Sequence, residues 1–469
     1  MIDTTSLTIK SAREALKNKE FTSVELTQAC IDVIEKMDGE IHAFLEVFED
    51  AVAQAEEADE RIRAGEDLPL LGIPLAIKDN MLMESKRATS GSKILEGFIA
   101  PYNSTLVKKL KDAGAVIVGR TNMDEFAMGS STENSAFGPT KNPLDTDRVP
   151  GGSSGGSAAA LAGNMILGSL GSDTGGSIRQ PAALCGVVGL KTTYGRVSRH
   201  GLMALASSLD QIGPFAKTVT DAEIIYNVIK GQDKFDSTTI SDETYEKRRK
   251  FEKVIGVPRD FIEMEGISET TKTNFEKAVE KFESLGYKVV DVKLPSIAYA
   301  LAAYYIILPA EVSSNLARFD GVKYGLHVEG ENSIDDYFKT RGEGFGRETR
   351  RRVILGTYVL SSGYYDAYYG KAQKAKAAIT AELRQAFRSV DLLLTPTTPS
   401  AAFKFGEKSN PLEMYLEDIF TVPANISGCP AVSLPFGKDN HLPLGIELTA
   451  DLGREDNLFA AGKEFLGEL

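Results

Sequence analysis

The sequence predicts an α/β protein: a large, largely parallel or mixed β-sheet covered by helices, with a helical layer at its N-terminal end. Three observations carry that expectation. From about Leu70 onward, short apolar runs alternate with helical stretches, as strands covered by helices do. Before that point the hydrophobic pattern is helical. Residues 151–195 are crowded with glycine and serine, yet the apolar runs AAALAGNMIL and ALCGVVGL thread through them. Flexible linkers lack such runs, so this stretch reads as core in which backbones approach closely.

The elements follow in chain order. Thr22 and Glu25 have capping-box spacing, and Leu26, Cys30, Val33, Ile34 and Met37 continue as a helical stripe. A second helix is expected over residues 44–63, ended by Gly65. The run GIPLAIK reads as a strand closing on Lys78. Residues 104–113 read as a helix with Ser104 as N-cap and Gly114 as C-cap, and AVIVG as the next strand. The polar residues 232–249 read as a surface excursion. The α/β pattern resumes with VIGV, a helix over 268–285 and the alternating YKVVDVKL. Long helices follow between about 298 and 387, then DLLLTP, AVSLPFG, LGIELTA and a final helix. No internal repeat is visible, and a single domain spanning 1–469 is expected.

Composition narrows the function classes. The chain has 469 residues, 42% of them hydrophobic, enough for a sizeable core. Its net charge of −13 argues against gripping a nucleic-acid backbone unaided, which needs clustered Lys and Arg. Membership of a complex whose other members hold the nucleic acid stays open. The three cysteines, Cys30, Cys185 and Cys429, are too far apart for a zinc pattern or disulfide framework and suit a reducing compartment. The segment MIDTTSLTIKSAREALK has no continuous apolar run, so neither a signal peptide nor a membrane anchor is expected. A cytoplasmic protein is the resulting expectation.

Chemistry centres on serines and one lysine. Of the four histidines, His42, His200, His327 and His441, only His200 lies near the serine-rich stretch, in the polar sequence VSRHGLM. GxSxG spacing occurs only inside the glycine run GGSSGG, so no serine carries the elbow cleanly. A histidine triad is recognised by geometry, so sequence order does not forbid one. Lys78 is the alternative base. A lysine ending a strand is ordinarily a solvated strand end. Here an apolar run precedes it and Asp79-Asn80 turn after it, and sites gather at strand C-termini. A lysine base must be neutral. Burial supplies this by lowering its pKa from about 10.4 towards roughly 7–8. The stretch GGSSGGS holds Ser153 at a glycine-fed helix start, where anion binding is a rival reading, although the Walker pattern is missing. In the same stretch Ser154 and Ser157 read as holding the loop and the helix start. In GSDTGGSIRQPA, Gly175 and Gly176 let backbone N–H groups turn inward before Ser177, as an oxyanion hole requires.

Together, Lys78 in GIPLAIKDN, Ser153 in GGSSGGS and Ser177 in SDTGGSIRQPA resemble the Ser-Ser-Lys triad of the amidase signature family. The resemblance runs from GIPLAIKDN through TNMDEFAMGSSTENSAFGPTKNP to CPAVSLPFG. TYGRVSRHGLMALASSLDQIGP, EVSSNLARFDG and LGTYVLSSGYYDAYY narrow it to the glutaminase (A-type) subunits of glutamyl-tRNA(Gln) amidotransferases. It implies a sheet with helices on both faces. The domain reads as an N-terminal helical layer (1–66), an amidase signature core with the triad (67–215) and a remaining α/β and helical part forming the substrate pocket (216–469). Ser177 would attack the side-chain amide of glutamine, with Ser153, preceded by a cis peptide, relaying the proton to Lys78. N–H groups of Thr174, Gly175, Gly176 and Ser177 would form the oxyanion hole. Arg352 and Asp418 would hold the α-carboxylate and α-amino groups, with Tyr304 or Tyr305 adding a hydrogen bond and Ser130 lining the pocket through its backbone. The neighbours Arg351 and Glu417 compete for those two assignments.

No metal or cofactor is implied in this chain. The resemblance assigns ATP and Mg²⁺ to a partner, the B subunit, which would amidate misacylated tRNA, Glu-tRNA(Gln) or Asp-tRNA(Asn), with the released ammonia. A small C subunit would complete a heterotrimer. No membrane contact is implied. The alternatives are a stand-alone amidase and a non-catalytic scaffold protein of the same complex.

Overall fold

The computed structural model describes residues 2–245 and 250–468. Eleven strands form one sheet. They are β1 (Phe44–Val47), β2 (Pro74–Lys78), β3 (Val116–Thr121), β4 (Gly168–Asp173), β5 (Val188–Lys191), β6 (Gln211–Ala216), β7 (Val254–Val257), β8 (Lys288–Asp291), β9 (Leu392–Pro396), β10 (Ala431–Asp439) and β11 (Leu442–Ala450). Their order across the sheet is β1-β3-β2-β4-β6-β5-β10-β11-β9-β7-β8. Strand β2 runs parallel to both β3 and β4, and β7 parallel to β8 and β9; the remaining pairs are antiparallel. The sheet is therefore mixed, as predicted.

Helices cover both faces, and β2 shows why. Its side chains alternate sides. Leu75 and Ile77 pack with Ile9, Leu106 and Ile225, from three helices on one face. Ala76 packs with Ile34, Ala55 and Ala159, from three helices on the other. Strands buried on both sides read as continuous apolar runs rather than alternating ones. All five residues of β2 and all six of β3 are buried.

The predicted helix over 44–63 is corrected. Its first four residues are strand β1, an edge strand antiparallel to β3, and the helix begins only at Ala51. The preceding helix, Ser23–Ile41, stops because His42 adopts a left-handed conformation, with φ 56°. Asp38 then takes the N–H groups of Ala43 and Phe44, releasing the chain into the sheet. The N-terminal layer thus contributes a strand as well as helices. The helix Thr105–Asp112 is capped by the Ser104 hydroxyl; Ala113 is its C-cap, and Gly114 follows with φ 84°. Of the polar excursion, 232–245 lies mainly at the surface, and 246–249 fall outside the described residues.

One helical run, Pro295–Arg318, is long and apolar enough to cross a membrane by length and composition, and half of its most apolar window is buried within this fold. It packs against helices Arg347–Leu360 and Lys371–Ala386, where it forms a wall of the site described next.

Candidate active site

Lys78 is the last residue of β2, so its side chain falls on the face shared by Ala76. That is the face on which helix Gly155–Ala162 packs. The parallel neighbour β4 ends alongside, at Ser172 and Asp173. Two strand C-termini and one helix start therefore meet around a single lysine amine. Lys78 Nζ lies 2.8 Å from Ser153 Oγ, 2.8 Å from Ser154 Oγ and 3.0 Å from Ser172 Oγ. Asn80 Nδ2 donates to the same Ser172 hydroxyl at 3.0 Å. Burial lowers the Lys78 pKa to about 7, against the opposing pull of Asp124, Asp173 and Asp210. At that value a large fraction is neutral near pH 7, and the amine can accept a proton from a bonded hydroxyl.

The Gly152–Ser153 peptide bond is cis. Ser153 O accepts the Asp124 N–H at 3.2 Å. Ser154 does more than hold the loop. Its hydroxyl does not cap the helix it precedes; it turns onto Lys78 and donates to Ser172 O. Ser157 does hold the helix start, through Leu170 O on β4 and Thr121 Oγ1 on β3.

Ser177 lies in the turn between β4 and helix Arg179–Cys185. Its carbonyl accepts the Ser154 N–H at 3.2 Å, which brings the two serine segments side by side. Ser177 is 8% exposed, whereas Lys78 and Ser153 are fully buried; a ligand meets Ser177 first. The turn is gripped from behind. Asp173 accepts the N–H groups of Gly176 (2.9 Å) and Ile178 (3.1 Å) and pairs with Arg179. Burial alone would raise Asp173, but Arg179 outweighs it and holds the carboxyl at about 2. Arg179 is itself fully buried and continues to Glu447 on β11 and to Asn425. Gly176 has φ 136°, and a Cβ there would collide with Thr421 Oγ1; only glycine suits the position. Because its N–H is engaged by Asp173, Gly176 is withdrawn from the expected oxyanion donors, leaving Thr174, Gly175 and Ser177.

A second cluster of polar groups adjoins this turn. Arg352 points inward from helix Arg347–Leu360, with Arg350 exposed and Arg351 half-buried. Successive helix positions differ by about 100°, which is how one residue of the triplet escapes the solvated face. Arg352 Nε donates to Glu348 at 2.8 Å, and its guanidinium lies 5.3 and 5.4 Å from the Tyr305 and Tyr415 ring centroids. Asp418 accepts the Ser130 hydroxyl at 3.0 Å and the Tyr305 hydroxyl at 2.7 Å. Burial raises its pKa to about 7, opposed by those two hydrogen bonds and by Arg352. Glu417 is spent elsewhere, paired with Lys408. Ser130 thus contributes its hydroxyl as well as its backbone, a correction; its carbonyl accepts from Gln180. Of the two tyrosines, Tyr305 bonds to Asp418, while the Tyr304 hydroxyl abuts Gly175.

Three connections make the clusters one site. Tyr304 touches Gly175, Thr421 donates to Gly175 O at 2.6 Å, and Gln180 links Ser130 to the Gly152 N–H. His200 lies apart from it, bonded to Thr105 and stacked between Tyr102 and Phe235. Sequence reasoning missed Ser172, Glu348 and Tyr415. Glu348 had a usable signal, since it precedes Arg352 by four residues in a helix. Tyr415 and Ser172 had none.

Residues 25–459 match the Amidase family. The chain is 51% identical to the A subunit of glutamyl-tRNA(Gln) amidotransferase of Desulfatibacillum aliphaticivorans, over 98% of this chain and 96% of that one. It is 52% identical to the protein of the same name from Carboxydothermus hydrogenoformans, over 98% and 96%. Among solved structures, the A subunit of glutamyl-tRNA(Gln) amidotransferase from Thermotoga maritima superimposes with a TM-score of 0.79 at 43% identity, covering 99% of this chain and 94% of that one. The peptide amidase of Stenotrophomonas maltophilia superimposes with a TM-score of 0.82 at 27% identity, covering 99% and 97%. Sheet, buried lysine–serine cluster and these matches agree: the chain belongs to the amidase family.

Proposed function

We propose that this chain is the glutaminase subunit of a tRNA-dependent amidotransferase. It hydrolyses glutamine to glutamate and ammonia, and a partner protein uses the ammonia to amidate misacylated tRNA with ATP. One observation carries the reading: a buried lysine with a pKa near neutrality, bonded to Ser153 beside Ser177, adjoins a fixed cation and a carboxylate. The high identity to named A subunits supports the same choice.

The steps follow from the positions. The α-carboxylate of glutamine pairs with Arg352 and its α-ammonium with Asp418, placing the side-chain amide at the Gly175–Ser177 turn. Ser177 Oγ attacks the amide carbon. Its proton passes to Ser153 Oγ, and the Ser153 proton to neutral Lys78. The oxyanion is met by N–H groups of Thr174, Gly175 and Ser177, held in place by the Asp173–Arg179 pair. The relay runs backwards to protonate the leaving nitrogen as ammonia, leaving a γ-glutamyl ester on Ser177. Water, activated by the same relay, releases glutamate. The recognition groups separate this from a stand-alone amidase of apolar amides, which has no use for a buried Arg352 opposite a buried Asp418.

The test is to purify the chain with its cognate B and C subunits and measure glutamine-dependent amidation of Glu-tRNA(Gln). A chain that remains alone while hydrolysing many amides equally well would refute its membership of the complex.

A further inference from the structure

Helix Arg347–Leu360 exposes large apolar residues on its outer face. Its buried residues are Thr349, Arg352, Gly356 and Val359, spaced three and four apart along one face. Gly356 lets that face lie against helix Ala300–Asn315, because a Cβ there would collide with the Pro309 carbonyl. The opposite face carries Ile354, Leu355 and Tyr358, which are 68%, 42% and 45% exposed. Beyond the helix end Tyr364, Tyr365 and Tyr368 extend the same surface, each at least 40% exposed. The rings of Tyr358, Tyr364 and Tyr368 gather with centroids 4.5–6.1 Å apart. A helix on a protein surface normally turns its apolar stripe inward. Here Arg352, Thr349 and Gly356 are buried beside Val359, while the large residues Ile354, Leu355 and Tyr358 face out, with the tyrosine-rich composition of an interface core.

The rim says what covers it. Residues 347–376 hold six cationic residues besides the buried Arg352 and only two acidic ones, in a chain whose net charge is −13. The geometry points to this face as the docking surface for the B-type partner, the ammonia-using protein of the amidotransferase, met by an apolar patch with an acidic rim. The inference rests on the function proposed above. A second copy of this chain would bring like charges together. RNA could stack on the tyrosines but would leave Ile354 and Leu355, 68% and 42% exposed, without a partner, so a protein fits the whole patch better.

The experiment uses the full chain with its cognate B and C subunits. The double variant Ile354→Asp/Tyr364→Asp is expected to weaken assembly about 30-fold or more, as loss of interface anchors does. Glutamine hydrolysis and thermal unfolding of the isolated chain serve as the folding check, with activity unchanged within about twofold. A second variant, Lys371→Glu/Lys374→Glu, perturbs the rim alone and is expected to slow association and flatten its salt dependence. Wild-type affinity in both variants overturns the docking face while leaving the function standing. A wild-type chain that binds neither partner overturns both. Normal assembly combined with lost binding of tRNA or of phosphatidylserine vesicles would assign the face to those instead. So would loss of a wild-type homodimer, for a second copy.

Discussion

The two halves of the site are built differently. The lysine–serine half hangs on strand ends: Lys78 closes β2, Ser172 and Asp173 close β4, and the turns after them are clamped by backbone hydrogen bonds. The recognition half is assembled from helices and loops far apart in sequence, with Ser130, Tyr305, Arg352 and Asp418 held mainly by side chains. On the proposed mechanism, the first half cleaves an amide whatever is attached to it, and the second decides which amide stays long enough. On this division, one fold carries different amidases by exchanging helix and loop residues while leaving the strand ends alone.

The division can be broken most severely at the strand ends. Lys78→Met and Ser177→Ala are each expected to lower hydrolysis of glutamine and of butyramide alike, by about ten-thousand-fold or more, and the double variant no further, because relay members act as a unit. Steady-state ammonia release checks this. A variant that loses only one of the two substrates would erase the distinction. Next comes Arg352→Ala, expected to lower kcat/KM for glutamine by roughly 2–5 kcal/mol, about 30- to 4,000-fold, because it removes a buried charge partner. Butyramide, which has no carboxylate, should be unaffected and so reports intact folding.

The pH profile sharpens the same contrast. Lys78 must be neutral and Asp418 ionised, and both have pKa values of about 7 in the free site. Activity is therefore lost as pH falls through 7 by either route. For butyramide only Lys78 matters, and log kcat/KM should rise with a slope of about one below pH 7. For glutamine both protons must leave, and the slope should approach about two. Equal slopes would mean that Asp418 does not bind the α-ammonium group. The smallest expected effect is that of Tyr305→Phe. It removes one hydrogen bond to Asp418, raising KM for glutamine about tenfold, near 1.4 kcal/mol, with kcat little changed. Because that bond lowers the Asp418 pKa, the acid limb for glutamine should also move to higher pH.

The same contrast explains what the sequence made legible. Strand ends and glycine turns leave local signatures, so Lys78, Ser153 and Ser177 are candidates from local sequence, and the resemblance to the amidase signature family turns them into a triad. Helix and loop positions do not. Tyr304 and Tyr305 are adjacent on a helix, and only packing decides which hydroxyl meets Asp418 and which meets Gly175. Glu417 and Asp418 differ by one residue and end in different surroundings. Strand β1 is hidden because its four residues run straight into a helical pattern, and its pairing with β3 is non-local. The contact of Ser154 with Lys78 is equally silent, because its rotation depends on the turn at Ser153 rather than on any spacing.

The most direct measurement of the central claim is the intact mass of the chain after acid quench during glutamine turnover, followed by peptide mapping. A γ-glutamyl ester on Ser177 is predicted for the wild-type chain. None is predicted for Ser177→Ala, and a strongly reduced amount at the same glutamine concentration for Arg352→Ala. An adduct on Ser153 or Ser154, or glutamine turnover that survives Ser177→Ala, would contradict it.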